Sequence, residues 1–349
     1  MNLRRLALPL LALASAALLA GCGGSSSGSG NAASTSGTDT LAKAKKFVVL
    51  VTDIGQLNDH GFNQLAYQGL QRAQRELGIN GVVYQSPASN DYVPNLTQAA
   101  RKGADLVVSV GFDQAQSIAT VAKQFPKTHF AIIDVDWNDL PGHPKNVEGL
   151  IFKEQEVGYL AGYLAGLVQK HGSSNTIGSV GGEKQPPVDR YIAGYQAGAK
   201  AADPKIKLLN AYSQEWVDQA KCKTIALNQI ADGAGIVFQV AGGCGLGVLD
   251  AAKQRGVWGI GVDADQAYLG PQVLTSAMKR VDTSVYATIQ QVLDGKFRGG
   301  TNAVFSLKNQ GVGLGKISPK VSKADVQKLQ QVAQQIAGGK ISNIPTQVK

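Results

Sequence analysis

Short apolar runs alternate along the chain with segments whose apolar residues recur at helical spacing. The first run, Phe47–Val51, is β-branched and continuous, as a strand covered on both faces must be. A polar stretch with two glycines follows, and from Phe62 to Leu77 the residues Leu65, Ala66, Leu70, Ala73 and Leu77 fall on one helical face. The same alternation predicts strands at Gly81–Tyr84, Leu106–Val110 and Phe130–Asp134, with helices at Tyr92–Lys102 and Ala115–Gln124. Such a series builds a parallel sheet flanked by helices. After Val147–Phe152 a second series starts: helix Val157–Val168, strand Thr176–Val180, helix Val188–Ala201, strand Ile206–Ala211, helix Val217–Ile230, strand Gly235–Val240, helix Leu246–Gln254 and strand Val257–Val262. Strand Val273–Met278 and helix Thr283–Leu293 are assigned to the first sheet. A glycine-rich strand region, Ala303–Gly313, and helix Lys323–Ile336 are assigned to the second. The fold class is therefore α/β in two lobes, residues 46–150 plus about 273–300 and residues 151–272 plus about 301–349, hinged by several crossings. A cleft between such lobes is a common ligand site.

Candidate chemistry gathers where strands end, the place at which open α/β sheets bind ligands. The loop after the first strand offers Asp53, Asn58, Phe62 and Asn63; later strand ends offer Phe112 and Asp134. Asp and Asn also serve as turn and helix caps, and the loop alone does not decide between these roles. Gly242-Gly243-Cys244-Gly245-Leu246-Gly247 is a turn suited to close backbone approach, without the Lys-Ser/Thr of a phosphate-binding loop. In Asp263-Ala264-Asp265 two carboxylates flank one small residue just after a buried strand, and one of them, Asp263, is read as facing a cleft. A carboxylate accepts two hydrogen bonds and suits a vicinal diol. Lys279 ends the next strand and is placed to donate to a hydroxyl or to neutralise Asp263. The four histidines lack metal-ligand spacing and no catalytic constellation is visible, so a metal site, a cofactor and an enzyme are not expected.

The N-terminus changes the compartment. Met1–Arg5 is positive, Leu6–Ala20 is apolar but short for a membrane span, and Leu19-Ala20-Gly21-Cys22 resembles a bacterial lipobox. Residues 1–22 are read as a lipoprotein signal ending in a lipidated Cys22, and residues 23–45, rich in Gly, Ser and Thr, as a flexible tether. An exported chain, lipid-anchored on the periplasmic or outer face of a bacterial cell membrane, is the expectation. In that compartment Cys222 and Cys244 either pair or sit as two small buried residues. The formal charge of +9 comes from scattered Lys and Arg with no basic block, so no nucleic-acid partner is expected.

Several stretches together carry a family resemblance: Val51-Thr52-Asp53 with Gly61-Phe62-Asn63-Gln64, VGFDQAQSIATVAKQFPKTHFAIIDVD from Val110, GYLAGYLAG from Gly158, IGSVGG from Ile177, GYQAGAK from Gly194, AGGCGLGVLDAAK from Ala241, GVDADQ from Gly261 and LTSAMKRVD from Leu274. In this order the chain resembles the basic membrane protein family of solute-binding lipoproteins, which serve ABC importers and include purine-nucleoside receptors. The resemblance implies a type I periplasmic-binding-protein fold that closes on its ligand, a nucleoside-like solute, an importer permease as partner and a monomeric receptor. It implies that Phe62 stacks on a base with Phe238 on the other face. Asn63 and Asp134 bond the base edge or fix the loop, Asp263 and Lys279 hold ribose hydroxyls, and Gly243 and Gly245 admit backbone contact. Cys244 departs from the Thr or Ser more familiar at its position. Riboflavin or a plain sugar is the alternative solute, and a tethered nucleoside-processing enzyme the alternative class.

Overall fold

Val48 and Leu50 face one side of their strand and Val49 and Val51 the other, and all four are buried in different apolar clusters. That double covering sets the architecture of the computed structural model, which describes residues 45–172 and 174–348. Cys22, its leader and the tether up to residue 44 lie outside the described residues. In chain order, β1 (Phe47–Val51), α1 (Phe62–Leu77), β2 (Asn80–Tyr84), α2 (Tyr92–Arg101), β3 (Leu106–Ser109), α3 (Ala115–Gln124), β4 (His129–Ile133) and β5 (Val147–Phe152) come first. Then follow α4 (Glu154–Lys170), β6 (Thr176–Gly181), α5 (Pro186–Ala202), β7 (Lys207–Tyr212), α6 (Gln219–Ala231), β8 (Ala234–Val240), α7 (Leu246–Arg255), β9 (Trp258–Asp263) and β10 (Val273–Lys279). The chain ends with α8 (Val281–Leu293), β11 (Thr301–Phe305), β12 (Val312–Leu314) and α9 (Lys323–Ala337).

Two six-stranded sheets result, ordered β11-β5-β4-β3-β1-β2 and β12-β10-β9-β8-β6-β7. Every pairing is parallel except β10 with β12. In the first sheet α1 and α8 cover one face and α2 and α3 the other. In the second, α4 and α5 pack on one face and α6 and α7 on the other.

Two strand assignments differ from the sequence reading. Val273–Lys279 lies in the second sheet, between β9 and β12, not in the first. The strand and helix 273–293 do not travel together: β10 runs beside β9 after a short link with a single 3-10 turn at Ala267–Leu269, and the chain changes lobes at Arg280, so only α8 packs on the first sheet. The region 303–313 is likewise divided, β11 pairing with β5 and β12 turning back along β10. The chain therefore crosses three times, after β5, β10 and β11. The crossings are bonded to one another: Lys153 N–H donates to Phe305 O at 2.8 Å, Arg280 N–H to Gly311 O at 2.9 Å and Leu307 N–H to the Glu156 carboxylate at 2.8 Å.

α4 starts a turn earlier than apolar periodicity predicts, because Glu154 is polar yet fully buried by ion pairing. It lies against α5 through a glycine face. A Cβ on Gly162 would sit 1.8 Å from Tyr195 O, and one on Gly198 2.0 Å from Tyr159 O. This backbone-on-backbone approach fixes Glu154 and Tyr191 relative to one another. Gly162→Val is expected to force the helices apart at a cost of about 3 kcal/mol, a fall of roughly 5 °C in melting temperature for a chain of this size; an unchanged melting curve would contradict the packing described.

Candidate functional site

The carboxyl ends of both sheets face one cavity of ≈ 670 Å³, mouth included. Asp53 follows β1, Phe112 follows β3 and Asp134 follows β4. From the second sheet, Trp216 lies between β7 and α6, Gly243 follows β8, and Asp263 and Lys279 end β9 and β10; all of these line it. Asp134 (φ 74°) and Asp263 (φ 62°) both have left-handed backbones, a conformation uncommon outside glycine.

Lys279 is buried at the centre. Its Nζ lies 2.6 and 2.7 Å from the two oxygens of Asp134 and 2.9 Å from Glu154 Oε1, and Arg190 holds Glu154 from the other side at 2.8 Å. The ammonium also sits 5.2 Å from the Phe62 ring centroid and 4.9 Å from that of Phe152. Burial pushes the Lys279 pKa down, but Asp134, Glu154 and Asp263 more than offset it, and the net direction is up: this lysine stays charged. Asp134 is pushed up by burial, against the pull of Lys279. Asp263 differs from the other two acids. Tyr191 donates to its Oδ1 at 3.2 Å, and among the described residues it makes no ion pair. Burial raises its pKa to about 7. Asp265, two residues on, would share the side of Asp263 in a continued strand, but β9 ends at Asp263 with a left-handed backbone, and Asp265 turns outward to accept from the Ala267 and Lys316 N–H groups outside the cavity.

Around Asp53 the two donors come from α2 and from the loop after β1. Tyr92 donates its hydroxyl to Oδ1 at 2.5 Å and Ile54 its N–H at 2.8 Å. Gly111, at φ 105°, leaves room for the carboxyl, since a Cβ there would lie 1.9 Å from Oδ2. Burial raises the Asp53 pKa to about 7, the Tyr92 bond opposing it. Asn63 lines the cavity but spends its side chain on the loop: Oδ1 accepts from Asp53 N–H at 3.0 Å and Nδ2 donates to Asp59 at 3.3 Å. Asp59 in turn accepts from the N–H groups of Gly61, Asn63 and Gln64, and so caps α1 and seats Phe62.

Three expected residues are elsewhere. Phe238 is fully buried against Tyr191 and Tyr195, ring centroids 6.1 and 5.0 Å away, because its side of β8 faces α4 and α5. Asn58 is exposed and outside the cavity lining. Gly245 packs against Gln239, where a Cβ would meet Oε1 at 1.8 Å, and also lies outside it. Besides Tyr191 on α5, the second lobe brings Trp216 to the cavity, a ring the sequence reading missed by starting a helix at Val217. The segment is a turn: Glu215 Oε1 accepts from the N–H groups of Trp216, Val217 and Asp218, and Asp218 caps α6. Gly182 makes space for the indole, which a Cβ would meet at 2.3 Å. A tryptophan among Ser, Gln and Glu immediately after a strand was the available signal.

Hydrogen bonds also join the two rims. Gln185 Nε2 donates to Asp113 at 2.7 Å, Gln266 Nε2 donates to His60 O at 3.1 Å, and the Tyr268 hydroxyl and His60 Nδ1 lie 2.7 Å apart. Among the described residues no helix is long and apolar enough to cross a membrane.

Comparison with known proteins agrees with this geometry. The ABC transporter nucleoside-binding protein BmpA of Lactococcus lactis subsp. cremoris is 37% identical over 337 residues, covering 90% of this chain and 92% of that protein. A Pyrococcus abyssi protein named as a lipoprotein is 34% identical over 88% of this chain and 76% of its own length. Among solved structures, the solute-binding protein of an ABC transporter system from Aeropyrum pernix K1 superposes with a TM-score of 0.77 at 27% identity, covering 86% of this chain and 94% of that one. The family model described as ABC transporter substrate-binding protein, PnrA-like (Bmp), matches residues 46–347. With the fold, the cavity at the strand ends and these matches in agreement, the chain belongs to the PnrA-like substrate-binding proteins of ABC transporters.

Proposed function

We propose that this substrate-binding protein takes a purine nucleoside into the interlobe cavity and presents it to an importer permease. The observation that carries the reading is one cavity holding a ring from each lobe, Phe62 and Trp216, above a carboxylate, Asp263, without a cation of its own. A base stacked on aromatic rings gains roughly 1–3 kcal/mol per base, and the free lone pairs of Asp263 suit two adjacent ribose hydroxyls. Lys279 serves mainly to hold Asp134 and Glu154, and its positive field keeps Asp263 ionisable. Asp53 and Phe112 border the same space and are assigned to the base. The nucleoside-binding name of the Lactococcus relative supports the same ligand class.

Closure follows as selection of a shut state, because a ligand touching both lobes binds best when they meet. The rim bonds from Gln185, Gln266 and Tyr268 support this reading. The lipobox reading of Cys22 and the lipoprotein name of the Pyrococcus relative support a receptor tethered to the membrane by lipid. It would act as a monomer and without catalysis.

Titration calorimetry with inosine, guanosine, adenosine, riboflavin and arabinose tests the ligand class. Binding heat with at least one purine nucleoside is expected, and heat only with riboflavin or the sugar would replace this reading. Asp263→Asn is expected to weaken nucleoside binding at least a hundredfold. Without ligand, this variant melts no lower than the parent at pH 8. The reason is the sign of the pKa shift: a carboxyl raised to about 7 in the folded state, from 3.8, binds more protons folded than unfolded between those values. Its contribution to stability therefore falls as pH rises toward 7 and stays low above it. Unchanged affinity in Asp263→Asn would remove its role. The same shift predicts a pH dependence of binding. Below pH 7 the free protein must shed a proton from Asp263 to accept the diol, so affinity falls with pH, approaching tenfold per unit well below 7. The slope should persist in Asp53→Asn, which removes the other cavity carboxyl raised to about 7; a flat profile from pH 8 to 5 would contradict the ionised-carboxylate clamp.

A further inference from the structure

Cys222, on α6, and Cys244, in the turn between β8 and α7, form a disulfide with Cα atoms 5.6 Å apart. Both are fully buried in the cluster that includes Val180, Ala226, Val237 and Val248. The bridge is next to the cavity wall at both ends. Cys244 follows Gly242 and Gly243, which line the cavity, and its N–H donates to the Trp216 carbonyl at 2.9 Å. Cys222 sits in the first turn of the helix that Trp216 leads into. The same two segments also meet at Gly247, where a Cβ would lie 1.9 Å from Gln219 O. There is little slack between them.

We propose that the Cys222–Cys244 disulfide is a positioning tie for the Trp216 wall of the cavity, so that ligand affinity follows its redox state. The physical reason is distance. Bonded sulfurs lie about 2.05 Å apart, whereas non-bonded heavy atoms need about 3.5–4 Å. Breaking the bond inside a fully packed cluster must separate α6 from the 242–247 turn. The Trp216 carbonyl and the Cys244 N–H face each other across that seam, so the indole and the glycine edge of the cavity shift together. A dithiol reductant carries out the step in balance: it transfers two electrons and two protons to the bridge, leaving two thiols, and is itself closed to a cyclic disulfide. The consequence for affinity rests on the nucleoside reading above; the placement of Trp216 does not.

The test uses the full chain carrying Trp137→Phe and Trp258→Phe, which leaves Trp216 as the one indole of the three. Emission and acrylamide quenching of the ligand-free protein are recorded before and after dithiothreitol, with reduction verified by two additional titratable thiols. The expected result is red-shifted emission and at least a doubling of the quenching constant, with inosine binding weakened about tenfold. Cys222→Ala with Cys244→Ala, which removes the sulfurs that must separate, should move both readouts less than reduction does; a shift as large as that on reduction would contradict separation by the freed thiols. Reduced protein with two new thiols and unchanged Trp216 emission and quenching overturns the tie. A changed emission with unchanged inosine affinity overturns the link to binding. If none of inosine, guanosine and adenosine binds either form, the nucleoside reading fails, and the fluorescence arm still decides whether the disulfide positions Trp216.

Discussion

The arrangement depends on one buried cation. Lys279 ends a strand of the second sheet and is held by Asp134 from the first sheet and by Glu154 at the crossing between them. A lone ammonium in such a place would be lost to desolvation, and the two carboxylates without it would be left without a counter-charge. With them beside it the Lys279 ammonium stays charged, and Arg190 completes the set. Removing one partner leaves an uncompensated buried charge, which is far costlier than losing a surface pair. The cluster thus does for the lobes what caps do for helices: it makes one relative placement much better than its neighbours.

That placement gives the site its division of labour. Asp134 and Glu154 are spent on Lys279, while Asp263, close enough to feel the lysine, lines the cavity with its side chain bonded only to the Tyr191 hydroxyl among the described residues. The close approach of α4 and α5 sets Glu154 and Tyr191, and through them the acid that faces the cavity. Loops add the rings. Asp59 fixes Phe62 by capping α1, and the Glu215 turn with the neighbouring disulfide fixes Trp216.

Most of the fold was legible because strands covered on both faces are continuous apolar runs and the helices between them have one apolar face. Phe47–Val51 and Phe62–Leu77 show this directly. What failed has physical reasons. A strand buried on both sides does not reveal which face a given residue takes, so Phe238 was placed in the cleft when it packs under α5. Local pattern does not say which sheet a strand joins, and β10 and β11 were exchanged between lobes. Trp216 was hidden by a turn that a side-chain carboxylate, not apolar periodicity, holds together. Asp53, Phe112, Asp134, Asp263 and Lys279 were found because strand ends in such folds converge on one crevice.

A crystal structure of the protein grown with inosine bears most directly on the central claim, that two lobes locked around Lys279 grip one aromatic ring and one diol at their seam. The account predicts the base between Phe62 and Trp216 and both ribose hydroxyls on Asp263. A bound nucleoside that touches only one lobe, or a cavity in which Asp263 contacts no part of the ligand, would contradict it.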